Sequence, residues 1–287
     1  ADDKWLVQNK QTLAAEASGE RQVDPALRAS EVRHQVRIAS ADGLDLRAFL
    51  VPPRVEPATA RVVMVHGLFR GTLELEPVAR MFHDLGAEVL MLELRNHGAS
   101  ERVPATYGLG EAEDVLAAAE FMQHRHSSGN APPLILFGVS LGTTAVALAA
   151  PKLTDIAGLV LDAPLTDLSG AAHRTLARGI GMPAPLASAV LWCMELWSGF
   201  SMDAVHVDRE LTKLDKNVCV LVIGAGRDTR CPPPVVRNVF AALRAPEAHK
   251  ELWILDDAGH GRVWDQDPQG YRERLARLLA RIRQEHP

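Results

Sequence analysis

From Val36 onward, short apolar runs recur along the chain and longer amphipathic stretches separate them. Gln35–Ala39 and Leu46–Val51 flank the turn residues Asp42 and Gly43, which predicts an antiparallel hairpin. Six further runs follow: Arg61–His66, Glu88–Leu92, Leu134–Gly138, Gly158–Leu161, Val218–Gly224 and Glu251–Leu255. They are too short for helices, and their near-continuous hydrophobicity suits parallel strands covered on both faces. Leu75–Leu85, Glu111–Gln123 and Gln269–Arg283 are amphipathic and long enough to serve as crossover helices. The pattern predicts an α/β domain built on a mostly parallel, doubly wound sheet of about eight strands.

Two intervals depart from that rhythm. Residues 1–30 are polar and alanine-rich without a strong apolar stripe, and read as an extension before a domain spanning 31–287. Thr166 to about Lys216 separates two strands by far more than an ordinary loop and holds two helix-like patterns, so a cap inserted over 166–216 is expected.

Charge and cysteine usage narrow the function classes. The formal charge of −5 leaves no basic footprint for nucleic acid or an anionic membrane. Cys193, Cys219 and Cys231 form neither a paired motif nor a metal-like cluster, and three free thiols, with Cys219 buried in a strand, are expected. No apolar run reaches membrane-spanning length, so a soluble protein is expected. Ala1 in first place fits initiator removal, leader cleavage or trimming equally, and localisation stays open.

The strongest chemical signal is Gly138-Val139-Ser140-Leu141-Gly142, which follows an apolar run and opens the helical stretch Thr143–Ala150. A serine at such a strand-to-helix turn presents its hydroxyl above the sheet, while flanking glycines remove side chains that would strike neighbouring backbone. The hydroxyl needs a base in hydrogen-bond reach. His260, in Asp257-Ala258-Gly259-His260-Gly261 after the last predicted strand, is placed to reach Ser140. His124 and His126 end a helix-like run and read as a solvated last turn; His66 and His97 each precede a glycine and read as turn hydrogen-bonders. The third member should be a carboxylate on the same sheet edge. Asp228, after Val218–Ile223, fits the chain order Ser, Asp, His. Asp162, after the preceding strand, is its rival, whereas Asp256 and Asp257 sit too close to His260 and read as surface residues. Acyl transfer also needs two fixed donors for an oxyanion. The backbone N–H of Leu141 is one, and the loop His66-Gly67-Leu68-Phe69-Arg70-Gly71 supplies the other, with Leu68 favoured over Phe69.

Together with Arg95-Asn96-His97-Gly98-Ala99-Ser100 and Gly226–Pro233, these motifs resemble the α/β-hydrolase superfamily from roughly Val36 to the C-terminus. Ser198-Gly199-Phe200 and Glu251-Leu252-Trp253-Ile254 are similar to bacterial hydrolases of the serine peptidase and dienelactone hydrolase groups. The resemblance implies the α/β-hydrolase fold, the triad Ser140, Asp228 and His260, donors at Leu68 and Leu141, and no cofactor. Asn96 stands where glycine is common, a departure at a turn and not at a catalytic position.

The function expected is serine-dependent cleavage of a small-molecule carboxylic ester through an acyl-enzyme. A peptidase, amidase or thioesterase on the same triad is the alternative, and a non-catalytic binding protein of the same fold is a third reading. The predicted cap carries Leu186, Leu191, Trp192, Met194, Leu196, Trp197, Phe200 and Met202 with few cations, which points to a neutral, apolar acyl group. Phe69, Trp192 and Trp197 are the substrate-contact candidates. Oligomeric state stays open.

Overall fold

The computed structural model describes residues 33–104, 106–126, 131–166, 168–174, 176–177, 181–198 and 201–285, with only the backbone of 197 and 198. The expected extension over 1–30 lies outside them. Eight strands form one sheet: β1 (His34–Ala39), β2 (Asp45–Val51), β3 (Arg61–Val65), β4 (Glu88–Leu92), β5 (Leu134–Val139), β6 (Ile156–Asp162), β7 (Cys219–Ala225) and β8 (Lys250–Leu255). Their spatial order is β1-β2-β4-β3-β5-β6-β7-β8. The β1–β2 and β2–β4 pairs are antiparallel and the remaining pairs are parallel. Gly43, at φ 85°, makes the hairpin turn, a conformation that costs glycine little.

The described helices are α1 (Thr72–Asp84), α2 (Leu109–His124), α3 (Leu141–Ala149), α4 (Leu168–Arg174), α5 (Ala184–Ser198), α6 (Val207–Leu211), α7 (Pro233–Ala242), α8 (Val263–Gln266) and α9 (Pro268–Glu285). Successive strand residues point to opposite faces, so the continuous apolar runs feed two cores. Val62 and Met64 join Leu75, Phe82, Tyr271 and Leu278 in a layer with α1 and α9. Val63 and Val65 join Ala118, Met122, Val146 and Val236 in a layer with α2, α3 and α7. Full burial of each large apolar side chain contributes about 1.5–3 kcal/mol.

Between β6 and β7 run α4, α5, a short 3-10 turn at Met202–Ala204 and α6. Among the described residues, no helix is long and apolar enough to cross a membrane. Cys193 is exposed, Cys219 and Cys231 are buried, and all three are free. Asn96 takes φ 68°, a left-handed conformation that asparagine tolerates, and its Oδ1 accepts the Val103 N–H at 2.7 Å. The departure from glycine is therefore accommodated at that turn.

Candidate active site

The C-terminal ends of β3, β5, β7 and β8 deliver the predicted chemistry to one edge of the sheet. Ser140 links β5 to α3 at φ 51° and ψ −116°, a strained pair of angles for a residue with a side chain. Its neighbours leave the chain no slack. A Cβ on Gly138 would strike the Gly142 carbonyl, and one on Gly142 would strike the carbonyls of Val65 and His66. The Ser140 N–H donates to the Asp162 carbonyl at 2.9 Å, tying the turn to β6.

Asp228 and His260 come from adjacent loops that are pinned together. The Gly226 N–H donates to Leu255 O at 2.8 Å and the Arg227 N–H to Ala258 O at 2.9 Å. Gly226 permits this approach, since a Cβ there would run into the backbone of Asp256. His260 Nδ1 lies 2.7 Å from Asp228 Oδ2, and His260 Nε2 lies 3.0 Å from Ser140 Oγ. An ionised carboxylate only accepts, so Nδ1 carries the ring proton and Nε2 is left to accept from the serine hydroxyl. The amides of Arg230 and Cys231 donate to Asp228 Oδ1 at 2.8 and 2.9 Å. Burial pushes the Asp228 carboxyl up, but the His260 ring and those two amides outweigh it and hold it below the ordinary carboxylate value.

Asp162, the sequence-level rival, is fully buried and accepts from the Tyr271 hydroxyl at 2.8 Å. The carboxylate on the His260 ring is Asp228. Asp256 and Asp257 are exposed, and Asp257 pairs with Arg227 at 2.6 Å.

Of the two amides expected to face an oxyanion, Leu141 opens α3, where an N–H has no partner within the helix. In the loop after β3, the amides on either side of Leu68 are already engaged. The Gly67 N–H donates to Glu74 Oε2 at 2.8 Å and the Phe69 N–H to His97 Nε2 at 3.2 Å. That distinguishes Leu68 from Phe69. His66 and His97 are turn hydrogen-bonders, as the sequence indicated. His66 Nδ1–H donates to Gly67 O at 2.8 Å while Nε2 accepts from the Leu94 N–H at 3.3 Å. His97 Nδ1–H donates to Arg95 O at 2.9 Å. Both rings must be neutral for these roles, and burial drives them that way, His66 down to about 3. His124 is exposed as expected; His126 instead contacts the buried Glu88 at 2.6 Å.

A cavity of about 320 Å³ opens beside Ser140, Leu141 and His260. Its apolar wall comes largely from the segment after β6, through Leu165, Leu168, Ala171, Leu191, Met194 and Met202. Phe69 lines it with a side chain that is also half exposed. Trp192 does not. Its side chain is 62% exposed, because Leu191 and Met194 take the inward positions of α5 and leave Trp192 and Leu196 on the outer face. The Trp197 side chain and Phe200 lie outside the described residues. Sequence reasoning missed Glu74, a carboxylate lining the cavity from the first turn of α1, and Cys231, whose signal was its place three residues after Asp228.

This architecture is the α/β-hydrolase fold. The family model described as serine aminopeptidase, S33, matches residues 56–197, just under half of the chain. Esterase Pf2001 of Pyrococcus furiosus superposes with a TM-score of 0.73 at 20% identity, covering 91% of this chain and 96% of that one. The α/β hydrolase GrgF from Penicillium sp. sh18 gives 0.67 at 21% identity, over 87% of this chain and 98% of its own. An uncharacterized protein of Bacillus subtilis (strain 168), YqkD, is 24% identical over 245 residues, 84% of this chain and 77% of that protein. The chain has the α/β-hydrolase fold, and over residues 56–197 it is similar to the serine aminopeptidase, S33, family.

Proposed function

We propose that the protein is a serine hydrolase that cleaves carboxylic esters of neutral, apolar acyl groups. The hydrogen-bonded chain from Ser140 Oγ through His260 to Asp228, opening onto an apolar cavity, carries the reading. Ser140 Oγ attacks the ester carbonyl while His260 Nε2 takes its proton, and Asp228 stabilises the imidazolium that results. The oxyanion that develops points at the amides of Leu68 and Leu141. Collapse expels the alcohol, protonated by His260, and water then removes the acyl group by the same steps.

The segment 166–216 acts as a cap whose inner wall receives the acyl chain. A cavity of about 320 Å³ is at the small end of the range of roughly 300–1,000 Å³ that takes drug-sized ligands, so short to medium acyl groups fit best. The description of the matched family model favours a peptidase as the second reading.

A fluorophosphonate probe should label the protein and fail to label Ser140→Ala. On p-nitrophenyl esters from acetyl to palmitoyl, kcat/KM should rise by about fourfold per buried methylene, from roughly 0.8 kcal/mol each, until the cavity is full. Equal labelling of Ser140→Ala would overturn the nucleophile. Faster turnover of aminoacyl anilides, or of anionic acyl groups that Arg230 would serve, would overturn the substrate class.

A further inference from the structure

We propose that Glu74 is a positioning residue of this site, one whose carboxylate holds the Gly67 amide and thereby fixes the Leu68 N–H beside Ser140. The inference rests on the reading of Ser140 as nucleophile and Leu68 as an oxyanion donor. An oxyanion donor works only if it is aimed before charge develops, and a backbone amide in a loop is aimed by its neighbours. In residues 67–70 those neighbours are tied individually. Glu74 Oε2 accepts the Gly67 N–H at 2.8 Å, His66 Nδ1–H donates to the Gly67 carbonyl at 2.8 Å, and His97 Nε2 accepts the Phe69 N–H at 3.2 Å. The Arg70 N–H closes back onto Gly67 O at 3.2 Å. Among the described residues, the Leu68 N–H is the one amide of that stretch for which no acceptor is found.

Glu74 is also close to the reacting serine. A Cβ built on Gly67 would lie 3.2 Å from Glu74 Oε2 and 3.4 Å from Ser140 Cβ, so the two side chains converge on the same backbone position. The carboxylate projects from the first turn of α1, whose Glu74 N–H donates to Gly71 O at 3.1 Å, and a helix is a stiffer mount than a loop. An acid this close to a developing oxyanion opposes it electrostatically. Arg70 Nε, 3.6 Å from Glu74 Oε1, offsets that charge. The other charged groups facing Glu74 are His260 and Arg262, and Asp162 from β6. A helix-start acid with no further role would explain the first-turn position, but not the bond to Gly67 or the wall it forms in the cavity.

Glu74→Ala and Glu74→Gln separate these roles, read by p-nitrophenyl butyrate kinetics, fluorophosphonate labelling rate and thermal melting. Glu74→Ala leaves the Gly67 amide without its acceptor, and kcat should fall about 10- to 100-fold with KM within about twofold, less than outright loss of a donor. Glu74→Gln keeps a carbonyl acceptor and should recover kcat to within about fivefold. Wild-type kcat in Glu74→Ala, or equal losses in both variants that track lowered melting temperatures, would overturn the proposal. If the alanine variant fails to fold, wild-type kcat in Glu74→Met, a side chain of similar length with no oxygen to accept the Gly67 N–H, would do the same. Wild-type protein that resists the probe would refute the serine reading, whereas labelling of wild type and Glu74→Ala at one rate would refute this inference alone.

Discussion

Asp162 offers a test of the buried electrostatics that leaves the proposed chemistry in place. Its carboxyl is fully buried at the end of β6, with Oδ2 accepting from Tyr271 and no partner for Oδ1 among the described residues. Burial pushes its pKa up to about 7; the Tyr271 bond only partly opposes that, and the negative charges of Glu74 and Asp228 add to it. In the unfolded chain the same carboxyl titrates near 3.9. Between those values the folded protein holds a proton that the unfolded chain has lost, so stability falls as pH rises from about 4 to about 7 and is level above. A gap of about 3 pH units is worth on the order of 4 kcal/mol at most. Asp162→Asn removes this dependence. Its amide oxygen can still accept from Tyr271, while its NH₂ faces the place of the orphaned Oδ1 and costs about 1–3 kcal/mol at every pH. The readout is therefore the slope: urea unfolding at several values from about pH 5 to about pH 8 should show the variant gaining on wild type by a few kcal/mol as pH rises. Parallel stability curves across that range would refute the reasoning.

Asp228→Asn should lower ester turnover by up to about 10⁴-fold, because an amide cannot hold the His260 tautomer, while Asp162→Asn stays within about tenfold of wild type; the reverse order would move the acid to Asp162. Leu191→Trp should fill the cavity and shift the acyl optimum to shorter chains, whereas Trp192→Ala should leave the length profile unchanged, as competition assays with mixed p-nitrophenyl esters would show.

What could be read in the sequence divides along a physical line. Strand identity was legible because a strand buried on both faces tolerates only apolar residues, and Val62–Val65 or Leu134–Phe137 offer nothing else. Ser140, Asp228 and His260 were legible as candidates because each stands in a loop after a strand, and the glycines around them are demanded by backbone collisions that the structure shows at Gly138, Gly142 and Gly226. The inner face of α5 was not. That helix is apolar nearly all round, so periodicity could not say whether Leu191 and Met194 or Trp192 and Leu196 faced the serine. Choosing Trp192 weighted side-chain size, whereas orientation follows from how α5 packs on α4, a long-range property absent from any local window. Glu74 was obscured for a related reason. Seven residues beyond Gly67 it reads as an ordinary acid in a first helical turn, a place where glutamate is common. Only the return of α1 over the loop after β3 brings its carboxylate to the Gly67 amide. The groups of the proposed chemistry are thus written into local motifs, while the contact proposed to aim them depends on how elements pack together. The sequence must satisfy such contacts without spelling them out.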